Sequence, residues 1–176
     1  MQVLHDPASL APFAGCALVP TMGALHAGHG ALVRQAAGRG MPVVVTVFVN
    51  PTQFGPREDF ARYPRTLDAD VALAERCGAD AVFAPAPEVI YPRGLDAARA
   101  ESDAWPLPAV AREPGLEDAC RPGHFGGVCQ VVARLLDLAR PALAVFGEKD
   151  WQQWRVLDSM VAESAGRWGA LRMEPS

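Results

Sequence analysis

Lysine is almost missing from this sequence. Of its 16 basic residues among 176, only Lys149 is lysine, and the rest are arginine. A codon-biased genome could produce that excess of arginine. The surviving lysine either marks a position that needs a compact ammonium rather than a planar guanidinium, or is a chance survivor. Positive charge is also in deficit: 16 basic against 20 acidic residues leave −4, so the basic face that general nucleic-acid affinity requires is not expected. Long apolar runs are missing. The longest, Met41 to Val49, is too short to span a bilayer and contains Thr46. The N-terminus has Asp6 and Pro7 early and no basic region, which does not support a secretory signal. Paired cysteines are missing too. Cys16, Cys77, Cys120 and Cys129 form no CxxC and stand at no zinc-finger spacing from a histidine. They read as reduced thiols of a cytoplasmic protein.

What is present is a chain with a core. Half the residues are hydrophobic and a fifth charged, which disfavours disorder, and no internal repeat appears. Four strands are expected: Gly15 to Val19, stopped by Pro20; Pro42 to Val49, β-branched and apolar throughout; Ala79 to Ala84; and Ala142 to Phe146. Helices are expected from about Gly28 to Arg39, Leu67 to Cys77, Gly126 to Ala139 and Asp150 to Ala165. Thr66 is the expected N-cap of the second, with Asp68 and Asp70 favouring its first turn. Residues 85–122, with seven prolines including Pro114, read as mostly irregular, and 166–176 as a tail without pattern. Strands alternating with helices imply an α/β fold: a Rossmann-like parallel sheet with helices on both faces. In such sheets ligands bind beyond the carboxyl ends of the strands. Polar segments fall at three of those ends: 20–29, 50–55 and 147–153.

The first segment is Pro20-Thr21-Met22-Gly23-Ala24-Leu25-His26-Ala27-Gly28-His29. Its glycines let backbone approach a ligand, and the helix start offers free N–H groups and a positive dipole end. His26 and His29, three apart, share one side of the first turn and suit a phosphate clamp. With no Asp, Glu or Cys in the segment, a metal site is the weaker reading. The second segment carries Asn50 and Gln53, neutral amides that can hold hydroxyls and a carboxylate without quenching its nucleophilicity. The third, Arg121 to Val128, is by spacing alone a glycine-rich helix start. The fourth, Phe146-Gly147-Glu148-Lys149-Asp150-Trp151-Gln152-Gln153, places the single lysine at a strand-to-helix turn, where it could follow charge moving onto pyrophosphate.

These segments carry a resemblance. The HxGH pattern at 26–29 is similar to that of the nucleotidyltransferase superfamily. The longer PTMGALHAGH resembles the opening motif of the pantothenate synthetase (pantoate–β-alanine ligase) family. FVNPTQF with Asp59 and Tyr63-Pro64-Arg65-Thr66, RPGHFxGV at 121–128 and FGEKDxQQ at 146–153 follow in the same order, so the resemblance covers about Gly15 to Val161. Two departures stand out: Gln130, where the family usually has threonine, and a segment Ala109 to Ala119 that looks longer than usual. Both bear on pocket shape.

The resemblance implies a ligase joining pantoate to β-alanine with ATP and Mg²⁺, through pantoyl adenylate, releasing pyrophosphate and then AMP. It implies that Met22, Gly23, Ala24, Leu25, His26, Ala27, Gly28 and His29 form one ATP wall and Gly147, Glu148, Lys149 and Asp150 the other. His29, His26 and Lys149 would act on the phosphates, with His29 the proton donor to the leaving group. Gln53, Gln153 and Asn50 would hold pantoate, and Gln53 β-alanine as well. No metal ligand set is implied by the protein alone, and Mg²⁺ is expected to come with ATP. The family is usually dimeric, so a homodimer is a possible assembly; neither nucleic acid nor membrane is an implied partner. Nothing after Val161 resembles the Ser-Ser-Arg element before the family's second domain. The expectation is one domain over 1–165, without that lid and with impaired turnover. The alternative is a non-catalytic module that binds ATP or pantoate.

Overall fold

The computed structural model describes residues 1–55, 60–113, 115–164 and 166–176. Asp59, Pro114 and Ala165, which enter the sequence reading, lie outside the described residues. Six strands form one sheet: β1 (Gln2–Leu4), β2 (Ala17–Thr21), β3 (Val43–Val47), β4 (Ala81–Phe83), β5 (Leu143–Phe146) and β6 (Arg172–Pro175). Their spatial order is β1-β4-β3-β2-β5-β6, and every pairing is parallel. The helices are α1 (Ala27–Ala37), α2 (Leu67–Arg76), α3 (Pro87–Ile90), α4 (Leu95–Asp103), α5 (Glu117–Cys120), α6 (His124–Ala139) and α7 (Trp151–Ala162). None is long and apolar enough to cross a membrane among the described residues.

Alternation along the strands sorts the core into two layers. Val43 and Val45 of β3 pack with Val19, Val82, Val33, Ala36 and Ala74, so α1 and α2 cover one face. Val44 packs with Leu18, Phe83, Phe125, Leu136 and Leu157, so α6 and α7 cover the other. This is the expected α/β sheet covered on both sides. Cys16, Cys77 and Cys129 are buried, Cys120 is exposed, and all four are unpaired. Burial pushes the Cys16 thiol up to about 11 and that of Cys129 to about 12, so both stay protonated.

Several expectations need correction. The 166–176 tail contains β6, which pairs with β5 from Leu143↔Arg172 to Phe146↔Pro175. An edge strand reading RMEP has no apolar run to announce it. β1 is another short edge strand that sequence periodicity did not reveal. The stretch 85–122 is more regular than its prolines suggest: Pro87 occupies the first turn of α3, where its missing N–H costs nothing. Thr66 takes the N-cap position of α2 as expected, but its side chain makes no capping hydrogen bond; its hydroxyl instead donates to Asp70 Oδ1 at 3.2 Å.

Pro20 does not stop β2, and its real position opens the molecule. The β2–β3 ladder runs from Ala17 to Thr21, whereas the β2–β5 ladder covers only Ala17 and Leu18. The Thr21 N–H points to β3, donating to Thr46 Oγ1, so position 20 points its nitrogen toward β5. Proline has no N–H to give there. The two strands therefore separate where the strand order reverses, between β2 and β5, which is the switch point at which ligands bind in such sheets.

Close packing on the far side of this opening depends on two glycines at the start of α6. A Cβ on Gly127 would stand 2.7 Å from backbone atoms of Thr52 and Gln53, and one on Gly126 would stand 2.2 Å from the Ser102 carbonyl oxygen. Gly127→Ala is expected to destabilise the protein by about 1–3 kcal/mol, the usual cost of overpacking. A lowered urea midpoint with an unchanged m-value checks this.

Candidate active site

A cavity of about 530 Å³ lies beyond the carboxyl ends of β2, β3 and β5. All three polar segments read from the sequence reach it. From 20–29 come Pro20, Thr21, Met22, His26, Gly28 and His29; from 50–55, Asn50 and Gln53; from 147–153, Gly147, Lys149, Asp150 and Gln153. Gly23, Ala24, Leu25, Ala27 and Glu148 do not line it. They belong to the turns that carry the lining residues.

The start of α1 differs from the expected row of free amides. His26 Nδ1 accepts from the Gly28 N–H at 3.1 Å, and His29 Nδ1 accepts from the His26 N–H at 3.3 Å. Two imidazoles thus form a reciprocal capping box, the work usually done by a hydroxyl and a carboxamide or carboxylate. Because both Nδ1 atoms accept, both rings carry their proton on Nε2 when neutral. The ring centroids lie 4.2 Å apart. Burial holds the His29 pKa below its ordinary value of 6.5, and the charge of His26 pushes in the same direction. Asp70 and Asp150 oppose this, and Lys149 adds to it. The result is a pair of Nε2–H donors beside a helix N-terminus, suited to anionic oxygens.

The preceding turn is held from behind. Gly23 and Ala24 have φ of +84° and +51°, and Ala24 is one of two non-glycine residues in the left-handed region among those described. The Gly23 N–H donates to Thr21 Oγ1 at 3.1 Å. The Ala24 and Leu25 N–H groups donate to Asp70 Oδ2 at 3.1 Å and Oδ1 at 2.7 Å. The sequence reading assigned Asp70 to helix-dipole chemistry and missed this contact. A signal was available, because Asp70 lies between Leu67 and Ala74 on the inward stripe of α2 and is a carboxylate where an apolar residue is expected.

The amide side of the cavity is equally constrained. Asn50 is buried, and its Oδ1 accepts from Tyr91 Oη at 2.6 Å and from Thr52. Its Nδ2 donates to Gln53 Oε1 at 3.2 Å and to the Gly127 carbonyl at 3.0 Å. Asn50 therefore orients Gln53, whose oxygen is occupied and whose N–H₂ remains to face a ligand. Burial pushes the Tyr91 pKa up to about 12, so its hydroxyl stays a donor. His124, in the RPGHF segment, reaches the Gln53 carbonyl through Nδ1 at 3.2 Å and Arg121 through Nε2 at 3.3 Å. Tyr91 and His124 are supports that the sequence reading did not assign.

Val128, Val131, Val132 and Leu135 of α6 form an apolar wall beside these amides, with Phe48 and Phe146. Gln130 does not belong to this wall. It is buried and turned to α4, donating to the Ala98 carbonyl at 2.8 Å and to Glu101 at 3.2 Å. Gln152, unlike Gln153, points away and joins the 109–120 segment to α7: its Oε1 accepts from the Glu117 N–H and its Nε2 donates to the Val110 carbonyl. Lys149 stands at the rim with 91 % of its side chain exposed, 3.7 Å from Asp150. Asp150 is the carboxylate among the cavity-lining residues, and no group of three His, Cys, Asp or Glu able to hold a metal occurs among the described residues.

Comparison with known proteins gives this arrangement its family. The profile described as Pantoate-beta-alanine ligase matches residues 8–168. The chain belongs to the pantoate–β-alanine ligase family. It is 54% identical over 147 residues to a pantothenate synthetase of Stenotrophomonas maltophilia (strain K279a), covering 84% of this chain and 50% of that one. It is 55% identical over 145 residues to a bifunctional pantoate ligase/cytidylate kinase of Synechococcus sp. (strain CC9605), covering 82% and 29%. Among solved structures, pantothenate synthetase from Thermus thermophilus superposes with a TM-score of 0.84 at 42% identity, over all of this chain and 61% of that one. Pantoate-beta-alanine ligase from Francisella tularensis, complexed with beta-gamma ATP and beta-alanine, gives 0.83 at 30%, over all of this chain and 67% of that one. The chain spans about half or less of the length of the curated relatives it matches.

The capping box makes this ligase-family site sensitive to acid. A protonated Nδ1 cannot accept from the His26 N–H. His29 therefore contributes its full stabilisation above 6.5, its value when unfolded, and loses it as pH falls through the lowered folded value. In an NMR titration the His29 ring is expected to titrate below 6.5, with falling protection of the His26 amide.

Proposed function

We propose that this chain binds ATP and pantoate in its large cavity and joins the pantoate carboxylate to the α-phosphorus, forming pantoyl adenylate and pyrophosphate. The amine of β-alanine then attacks the acyl carbon, giving pantothenate and AMP. The observation that carries this reading is the division of one cavity into two chemistries. Imidazole Nε2–H donors and an ammonium stand on one side; carboxamides and a valine–leucine wall stand on the other. A branched hydroxy acid suits the second, and a triphosphate the first.

The geometry supports the following roles. His26 and His29 donate to phosphate oxygens, with His29 nearest to the charged rim groups and suited to follow charge onto the leaving pyrophosphate. Lys149, long and unrestrained, swings onto the same oxygens. Gln53 and Gln153 hold pantoate, with Asn50 acting through Gln53. A carboxylate held by neutral amides keeps its charge available for attack, so alignment and charge stabilisation supply most of the rate. Mg²⁺ would travel with the phosphates, since magnesium is usually held by one or two carboxylates plus phosphate oxygens, and Asp150 is the carboxylate placed to meet it. In that position the ion would neutralise phosphate charge.

The second reading is a binding module with little turnover. Its support is the exposure of Lys149, which leaves the phosphate side of the cavity open to water. Adenylate open to water would hydrolyse before β-alanine arrived.

Pantoate-dependent exchange of labelled pyrophosphate into ATP tests the first step, and β-alanine-dependent AMP release tests the second. Exchange with coupled AMP release is expected for the ligase; binding without exchange would establish the module. His29→Ala and Lys149→Ala are each expected to slow adenylate formation by about 10²–10³-fold, the scale of losing one charge-stabilising group. Exchange at the unsubstituted rate in both variants would remove these roles.

A further inference from the structure

Asp70 is 1 % exposed, and its carboxylate lies beneath the turn that leads to His26 and His29. This is an unfavourable place for a negative charge if the cavity receives a triphosphate, because the two repel. Its contacts show what offsets that cost. One oxygen takes the Ala24 N–H and the other the Leu25 N–H, at 3.1 and 2.7 Å, and the second also takes the Thr66 hydroxyl. Two adjacent amides converging on one carboxylate occur here because Gly23 and Ala24 are successively left-handed. An alanine there is strained, and it persists only where the surroundings fix it. Space is tight as well: a Cβ on Gly23 would stand 3.0 Å from Asp70 Oδ2. The next residue, His26, is the first imidazole of the capping box.

We propose that Asp70 is the positioning residue of the triphosphate site: it locks the 23–25 turn and thereby fixes where the His26 and His29 imidazoles stand. The inference rests on the reading of this cavity as an ATP site and adds a residue that does not itself line it. Asp70 has a second effect. The groups acting on His29 are His26 and Lys149, which disfavour its protonation, and Asp70 and Asp150, which favour it. Removing the Asp70 charge therefore lowers the His29 pKa, whereas moving the carboxylate without removing it does not.

Asp70→Asn and Asp70→Glu in the 176-residue chain separate position from charge. Asparagine offers one acceptor to two N–H groups and faces the other with an amide; glutamate keeps the charge on a longer arm. Both variants are expected to weaken Mg²⁺–ATP binding at least tenfold by calorimetry while pantoate binding changes less than twofold. Both are expected to accelerate amide exchange at Ala24 and Leu25 at least tenfold, with Val44 and Val45 unchanged. Only Asp70→Asn should lower the His29 titration measured by NMR. Unchanged ATP affinity or unchanged turn protection in Asp70→Asn overturns the proposal, and so does general loss of protection at Val44 and Val45 in both variants, which would make Asp70 a folding residue. If the unsubstituted chain binds no ATP, the reading of the cavity itself fails, and the inference with it. If that chain binds ATP and the variants match it, the inference alone fails.

Discussion

The parting of β2 from β5 is the constraint on which the site depends. A parallel sheet with both ladders continued would close over the position where the strand order reverses. Here the ladder to β5 ends at Leu18, and Pro20 offers no N–H to extend it. The ladder to β3 continues to Thr21, so the turn after β2 is carried forward on one side only. Three polar groups of the cavity are arranged around that gap: the histidine-capped start of α1, the amides after β3, and the charged turn after β5.

Each wall of the gap is fixed by a buried polar group that does not face the ligand. Asp70 secures the turn before His26, and Tyr91 secures Asn50, which in turn orients Gln53. His124 holds the backbone of Gln53, and Gly127 permits α6 to approach it. These supports are matched donor to acceptor, which is the condition under which burying polar groups is tolerated. Lys149 is the exception. It is held by little more than its proximity to Asp150, and its freedom suits a group that must reach a moving charge.

The sheet and its central strands were legible because VVVTV and LAVF are continuous apolar runs, and the four long helices because their apolar spacing is regular. The edges were not. β1 and β6 are short, and RMEP gains its strand only by adding to β5. Proline misled twice: Pro20 lies within a strand because its nitrogen points to an unpaired side, and Pro87 starts a helix. The lining residues His26, His29, Gln53, Lys149 and Gln153 were readable from motif and topology. Their supports were not, because Asp70, Tyr91 and His124 act through contacts distant in sequence. Gln130 departs from the family pattern without entering the cavity, a distinction that depends on which face of α6 it occupies.

The central claim is that one cavity holds phosphate at the histidine pair and hydroxy acid at the amides, in contact with each other. A crystal structure of the chain with a non-hydrolysable pantoyl adenylate analogue tests it most directly. The account predicts the linking phosphate-like group within hydrogen-bond reach of His29 Nε2 and the acyl end against Gln53, Gln153 and Val131. An analogue bound outside this cavity, or within it with its phosphate-like group away from His26 and His29, would contradict it.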